Sequence, residues 1–192
     1  MTTEAFHCES STSSSSDIEQ IQKDNSLQLS ISLVIKQLLN ENKKQKNYKS
    51  KVREQSKMIF SSSSIPKISI LEYLNRIAKY TKIEDSTLIL SIIYLDSIAQ
   101  NIYITEYNIH TILLISIIIA IKMNEDLIFT NDYYAKVAGI PLKKLNKLEH
   151  EFLNMNKFTL YVDKGLFDKY EKTIKNFFTD NYDEEEIKEG LK

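Results

Sequence analysis

Cysteine is nearly missing from this chain of 192 residues. Cys8 stands alone, so no internal disulfide can form, and a reducing, intracellular setting in the nucleus or cytoplasm is expected. Tryptophan is absent, and three Gly and two Pro leave few helix breaks and too little glycine for a phosphate-cradling loop. Charge of one sign is lacking too. A net charge of -1 and a pI near 6.3 create no global field for nucleic acid or an anionic membrane, so neither is an expected partner. Met1–Ser16 has neither a basic start nor an apolar core, which argues against a secretory signal there. Arginine is confined to Arg53 and Arg76, while Lys and Ile are heavily used. That bias reads as the mark of an AT-rich genome, so the strand propensity of Ile is a weak guide.

What the chain has instead is one concentrated aliphatic run. Thr111–Asp126 reads TILLISIIIAIKMNED, broken by Ser116 and closed abruptly by Lys122. A helix apolar on every side must be wrapped by other helices, because a surface helix shows a polar face. The run falls short of the roughly 20 apolar residues that cross a bilayer. A central helix jacketed by amphipathic ones, with a charge at its rim, points to a helical binding module.

Four parts are expected along the chain. Residues 1–25 form a Ser-rich tail, with STSSSSD inside Met1–Asp17, too poor in large aliphatics to order itself. Residues 26–64 hold an N-terminal helix and a basic linker. In Ser26–Asn40, Leu27, Ile31, Val34, Ile35, Leu38 and Leu39 follow a helical stripe, although Leu27, Leu29, Ile31 and Leu33 also alternate as a short strand would. Lys43–Lys57 carries seven basic residues against one acid, which fits a solvated linker or helix face, or else a nuclear-import or anion-binding segment. Ile65-Pro66 then punctuates the chain before regular structure begins.

Residues 65–162 hold five expected helices. The first carries Ile70, Leu71, Leu74, Ile77 and Ala78 and ends near Thr81; the second covers Asp85–Asn101 with Leu88, Ile92, Leu95 and Ala99 on one side. The third runs from Thr105, its expected N-cap, to Met123. The fourth starts at Asn131 or Asp132 and stops at Gly139, and the fifth opens at Pro141 and bears Leu142, Leu145, Leu148, Phe152 and Met155. Residues 163–192 add a helical segment, Leu166–Phe178, and the acidic run Asp180–Glu189, expected to be solvated. A buried third member makes this an all-α orthogonal bundle, since up-down bundles use amphipathic helices of similar length.

Catalytic chemistry does not surface. His7, His110 and His150 have no second His or Cys at metal spacing, apart from Cys8 beside His7 in the tail, so no metal or cofactor is expected. His110 at the head of the central helix reads as a structural histidine. No Gly-x-Ser-x-Gly or His-Glu-x-x-His pattern is present, and no catalytic residue is assigned. Three ionisable residues do sit among apolar ones. Asp96, in IIYLDSIA, should be buried and find a cation such as Lys67 or Arg76. Lys122 closes the central helix with Ile119 and Met123 on its face, and Glu149 lies one turn before Leu153. If those helix ends adjoin, Lys122 and Glu149 make a polar pair among exposed apolar side chains; otherwise each is an ordinary surface charge.

ISILEYLNRIAKYT, IIYLD, NIHTILLISIIIAIK, NDYYAKVAGI and LNKLEHEFLNMNKFTLYV occur in an order and spacing that resemble a cyclin, specifically the single-box P/U-type cyclins typified by a yeast phosphate-starvation regulator. The resemblance covers about Ile65 to Val162. It implies a five-helix cyclin box around a buried third helix, and a cyclin-dependent protein kinase as partner. It further implies that Lys122 and Glu149 grip the kinase near its C helix, that Ile119, Met123, Leu153, Phe158 and Leu160 contact it, and that Asp96 braces the box. Glu151 is a weaker candidate for a basic kinase loop. Lys67 stands where the family's bracing arginine is usual, Tyr73 where many cell-cycle cyclins carry Trp, and the Met-Arg-Ala-Ile-Leu docking motif is missing. Two functions compete: an activating kinase subunit, or a non-activating adaptor or scaffold of the same fold.

Overall fold

A computed structural model describes residues 26–181, with the side chains of 27–177. The Ser-rich tail, with His7 and Cys8, and the acidic run beyond Asn181 lie outside the described residues. Among those described there are eight helices and no strand: α1 (Ser26–Lys44), α2 (Tyr48–Gln55), α3 (Ile70–Thr81), α4 (Asp85–Ala99), α5 (Ile109–Asn124), α6 (Asn131–Ala138), α7 (Leu142–Met155) and α8 (Lys164–Asn181).

The aliphatic run becomes the axis of the fold. Every residue from Ile112 to Ile121 is buried, because α4, α7 and their neighbours enclose α5. Asn124 Nδ2 donates to Thr87 Oγ1 at 2.7 Å, and Glu125 Oε1 accepts from the Glu84 amide at 3.0 Å. The end of α5 is thereby tied to the start of α4, and the two helices run antiparallel. Ser116, the polar break in the run, is fully buried and its hydroxyl has no partner. A buried, unsatisfied hydroxyl costs about 1–3 kcal/mol. Ser116→Ala is therefore expected to raise the thermal midpoint of unfolding, and a lowered midpoint would show that the hydroxyl is satisfied in solution.

Capping follows the local chemistry. Ser69 accepts from the Glu72 amide while Glu72 accepts from the Ser69 amide, a capping box that starts α3. Gly139 closes α6 at φ 72, a left-handed position glycine occupies freely. Three sequence expectations shift. The central helix begins at Ile109 with Asn108 as its N-cap, because Thr105 lies in a buried turn ahead of it, where its amide donates to Asn108 Oδ1 at 2.8 Å and its hydroxyl accepts from the Tyr107 amide at 3.3 Å. The N-cap of α6 is Thr130, whose hydroxyl accepts from the Tyr133 amide, leaving Asn131 free for other work. Helix α4 is buried on more than one side: Ile89, Ile93, Tyr94 and Ile98 join Leu88, Ile92 and Leu95, because α8 covers the flank of α4 that α5 does not.

The segment Ser26–Asn40 is helical and extends to Lys44. Leu27, Ile31 and Ile35 are buried against α3 and α8, so the alternation that allowed a strand has no structural counterpart. At its far end Asn42 Nδ2 donates to the Ile104 carbonyl at 3.0 Å and Tyr103 Oη donates to the Asn42 carbonyl at 2.9 Å. The basic segment that follows contains α2, which buries no residue.

Candidate protein-binding site

Three elements converge at one rim of the bundle: the last turn of α5, the first turn of α6 and the middle of α7. Lys122 Nζ pairs with Glu149 Oε1 at 2.5 Å, the two side chains retaining 27% and 19% exposure. The other carboxylate oxygen, Glu149 Oε2, accepts from Asn131 Nδ2 at 2.8 Å, and Asn131 Nδ2 also donates to Asn146 Oδ1 at 2.9 Å. Glu149 is thus held from two helices, and Lys122 stands at a helix C-terminus, where a cation is favoured. In the sequence Asn131 reads only as a start of the fourth helix and Asn146 carries no signal; the packing of α6 against α7 turns Asn131 into a support for a carboxylate.

Apolar side chains that are not fully buried flank the two charges along the chain. Met123 is 56% and Phe158 63% exposed, while Leu153 and Leu160 are half-buried beside them in sequence. The presentation of Phe158 is built into the end of α7. The Phe158 amide bonds to the Leu153 carbonyl at 2.8 Å and the Lys157 amide to the Asn154 carbonyl at 2.9 Å, the two bonds of a Schellman motif. Lys157 at φ 51 occupies the left-handed position usually given to glycine, and Phe158 is left-handed as well at φ 56. Ser97 Oγ donates to Asn156 Oδ1 at 2.6 Å and Tyr94 Oη to the Leu160 carbonyl at 2.8 Å, which fastens this turn to α4.

Two of the expected site residues need correction. Ile119 is 2% exposed and belongs to the core; the buried stretch of α5 runs from Ile112 to Ile121 and its C-terminal end opens to solvent at Lys122, so Ile119 offers no contact surface. Asp96 is exposed, not buried, and the cation expected from Lys67 or Arg76 is not its partner. It accepts from Tyr170 Oη at 2.6 Å, so it fastens α8 to α4. Burial, together with the Asp96 carboxylate, pushes the Tyr170 phenol up to about 12. His110 sits at the head of α5 with Nε2 3.0 Å from the Ile68 carbonyl and its ring against Tyr73; burial holds its pKa below the usual histidine value.

One feature of the surface escaped the sequence reading. Leu127, Ile128 and Phe129, joining α5 to α6, are 84%, 51% and 40% exposed, and Tyr161 is 86% exposed. The loop that holds the first three connects Lys122 to Asn131, so it borders the ion pair. Phe129 stacks on Tyr133, with ring centroids 4.4 Å apart, and its amide donates to Tyr134 Oη at 3.0 Å. Three consecutive apolar residues outside a helix were the available signal. No helix among the described residues is long and apolar enough to cross a membrane, and no three His, Cys, Asp or Glu side chains gather there as a metal site.

An ion pair held between helices, with exposed apolar residues next to it in sequence, is a combination found on protein-binding surfaces. A family model described as Cyclin matches residues 12–160, and the chain belongs to the cyclin family. Among its relatives, Cyclin-U2-2 of Arabidopsis thaliana is 40% identical over 115 residues, 58% of this chain and 50% of that protein. PHO85 cyclin-like protein psl1 of Schizosaccharomyces pombe is 36% identical over 128 residues, 65% of this chain and 53% of that protein. Cyclin-P3-1 of Oryza sativa is 35% identical over 117 residues, 60% of this chain and 50% of that protein. The likeness is therefore to cyclins of the U and P types, and the chain spans about half the length of the curated relatives it matches.

Proposed function

We propose that this chain is the regulatory subunit of a cyclin-dependent protein kinase, acting as a regulator and not an enzyme, within the nucleus or cytoplasm. The observation that supports the reading is the Lys122–Glu149 pair, with the incompletely buried Met123, Leu153, Phe158 and Leu160 following its two members in sequence. In this reading residues 65–162 are the cyclin box, and residues 26–64 and 163–192 contribute α1 and α8 as flanking helices. Leu127, Ile128 and Phe129 extend the contact surface beyond the positions that the family resemblance picks out.

The mechanism is a population shift. A protein kinase aligns ATP only when its strand lysine and C-helix glutamate are paired. A rigid bundle that binds the inward C helix better than the outward one raises the active fraction by its differential affinity alone. Lys122 and Glu149 set the orientation through charge-assisted hydrogen bonds, and the apolar side chains supply affinity and exclude water. The test is to capture the kinase from native lysate with the full chain and assay it with and without added chain. Activity that rises with added chain supports the proposal. Stoichiometric binding with no gain in activity would make this protein an adaptor of the same fold, and no kinase in the captured material would remove the partner altogether.

A further inference from the structure

Around α7 from the ion pair lies a second concavity, about 920 Å3, between that helix and the linker following α2. Its floor is apolar: Met58 and Ile59 are half-buried, Phe60 is buried, and Leu142 is left 39% exposed. Its rim is cationic. Lys143 and Lys147 line it, and Lys144 lines an adjoining hollow with Ile59 and Pro141. Among the described residues Glu151, at one end, is the only carboxylate in the lining.

The charges of this rim are not used within the described residues. Lys43, Lys51, Lys122, Lys136 and Lys175 each pair with a carboxylate, whereas Lys143, Lys144 and Lys147 have no ion-pair partner there. Lys143 and Lys147 are moreover one turn apart on the same helical face, where like charges repel. They precede Glu149 by six and two positions, spacings that do not face it, while Asn146 in the same lining accepts from Asn131 beside the ion pair. A chain with a net charge of -1 thus keeps a local cationic ridge over an open apolar trough. Apolar burial and charge complementarity together select an occupant with both features.

We propose that this groove docks an acidic segment of a partner protein that carries one large apolar side chain. The apolar residue seats between Leu142 and Met58–Phe60, and the flanking carboxylates meet Lys143, Lys144 and Lys147. The probe is a fluorescein-labelled heptapeptide, phenylalanine flanked by aspartates on both sides, titrated with the full chain. Polarisation is expected to rise to saturation and to weaken with salt. Lys143→Glu combined with Lys147→Glu, both at exposed positions, should weaken binding roughly tenfold or more with circular dichroism unchanged. Replacing the probe's phenylalanine by alanine should also weaken it. Binding indifferent to either change, or no saturation at millimolar peptide, overturns the proposal. Binding that emerges only when Glu184, Glu185 and Glu186 are all changed to Gln would assign the groove to the chain's own acidic run and overturn a partner's claim to it.

Discussion

Lys122→Glu is expected to abolish co-purification of the kinase while leaving the helical circular dichroism of the chain intact. In the free protein the new carboxylate, at a position with 27% side-chain exposure, can turn away from Glu149 into water. The local loss is the favourable cation at the end of α5, about 0.3–1 kcal/mol, which a domain with Ile112–Ile121 of α5 buried can absorb. In a closed complex water is excluded and two carboxylates face each other in place of a pair. Removing one member of a buried, hydrogen-bonded charge pair at an interface costs roughly 2–5 kcal/mol, and reversing its sign adds repulsion. Affinity should therefore drop by more than tenfold, beyond recovery in a pull-down. Adding Glu149→Lys to this variant restores a pair of the opposite polarity; partial recovery would mean that the pair itself is read, and no recovery that each charge meets its own group on the kinase. Undiminished capture by Lys122→Glu would take Lys122 out of the mechanism.

Two phenylalanines six residues apart should fail in opposite ways. Phe152 is 0% exposed on the inner face of α7, and Phe158 is 63% exposed just past its end. Phe152→Ala leaves a cavity in a packed core, worth roughly 3–5 kcal/mol against a total stability of about 5–15 kcal/mol for a typical domain. The thermal midpoint is expected to drop by many degrees, with loss of soluble protein as the extreme. Phe158→Ala removes a ring that contacts water and leaves the midpoint nearly unchanged, yet should weaken kinase binding by about 2 kcal/mol or more if the ring is an interface anchor. Thermal unfolding and kinase capture measured on both variants decide the matter. Equal destabilisation by the two would make Phe158 a packing residue and leave the apolar set without its most exposed member.

The helices were legible because periodicity is a local signal. Leu145, Leu148 and Phe152 announce the buried face of α7, and all three are fully buried. The burial of α5 could be inferred without coordinates, since no polar face exists to meet water. The same reasoning failed wherever direction mattered more than composition. Ile119 shares a stripe with Lys122 and Met123, but enclosure of α5 extends as far as Ile121, so the stripe is divided between core and surface. Asp96 sits among aliphatics in sequence and yet in water in space, because an apolar neighbourhood along a helix covers several faces at once. Leu127, Ile128, Phe129 and Tyr161 lie outside helices and have no period to interpret.

The amino-acid sequence alone determined the class of fold, the number and order of the box helices and the identity of the central one, because hydrophobic spacing and capping residues act over a few positions. The resemblance in its motifs pointed to Lys122 and Glu149. Only the tertiary structure decided that these two residues, 27 positions apart, meet and are braced by Asn131, that Lys157 and Phe158 turn left-handed to present a ring, and that Asp96 fastens α8. Those outcomes depend on how α5, α6 and α7 cross, and crossing geometry is set by the packing of whole helix faces, which no local stretch of residues specifies.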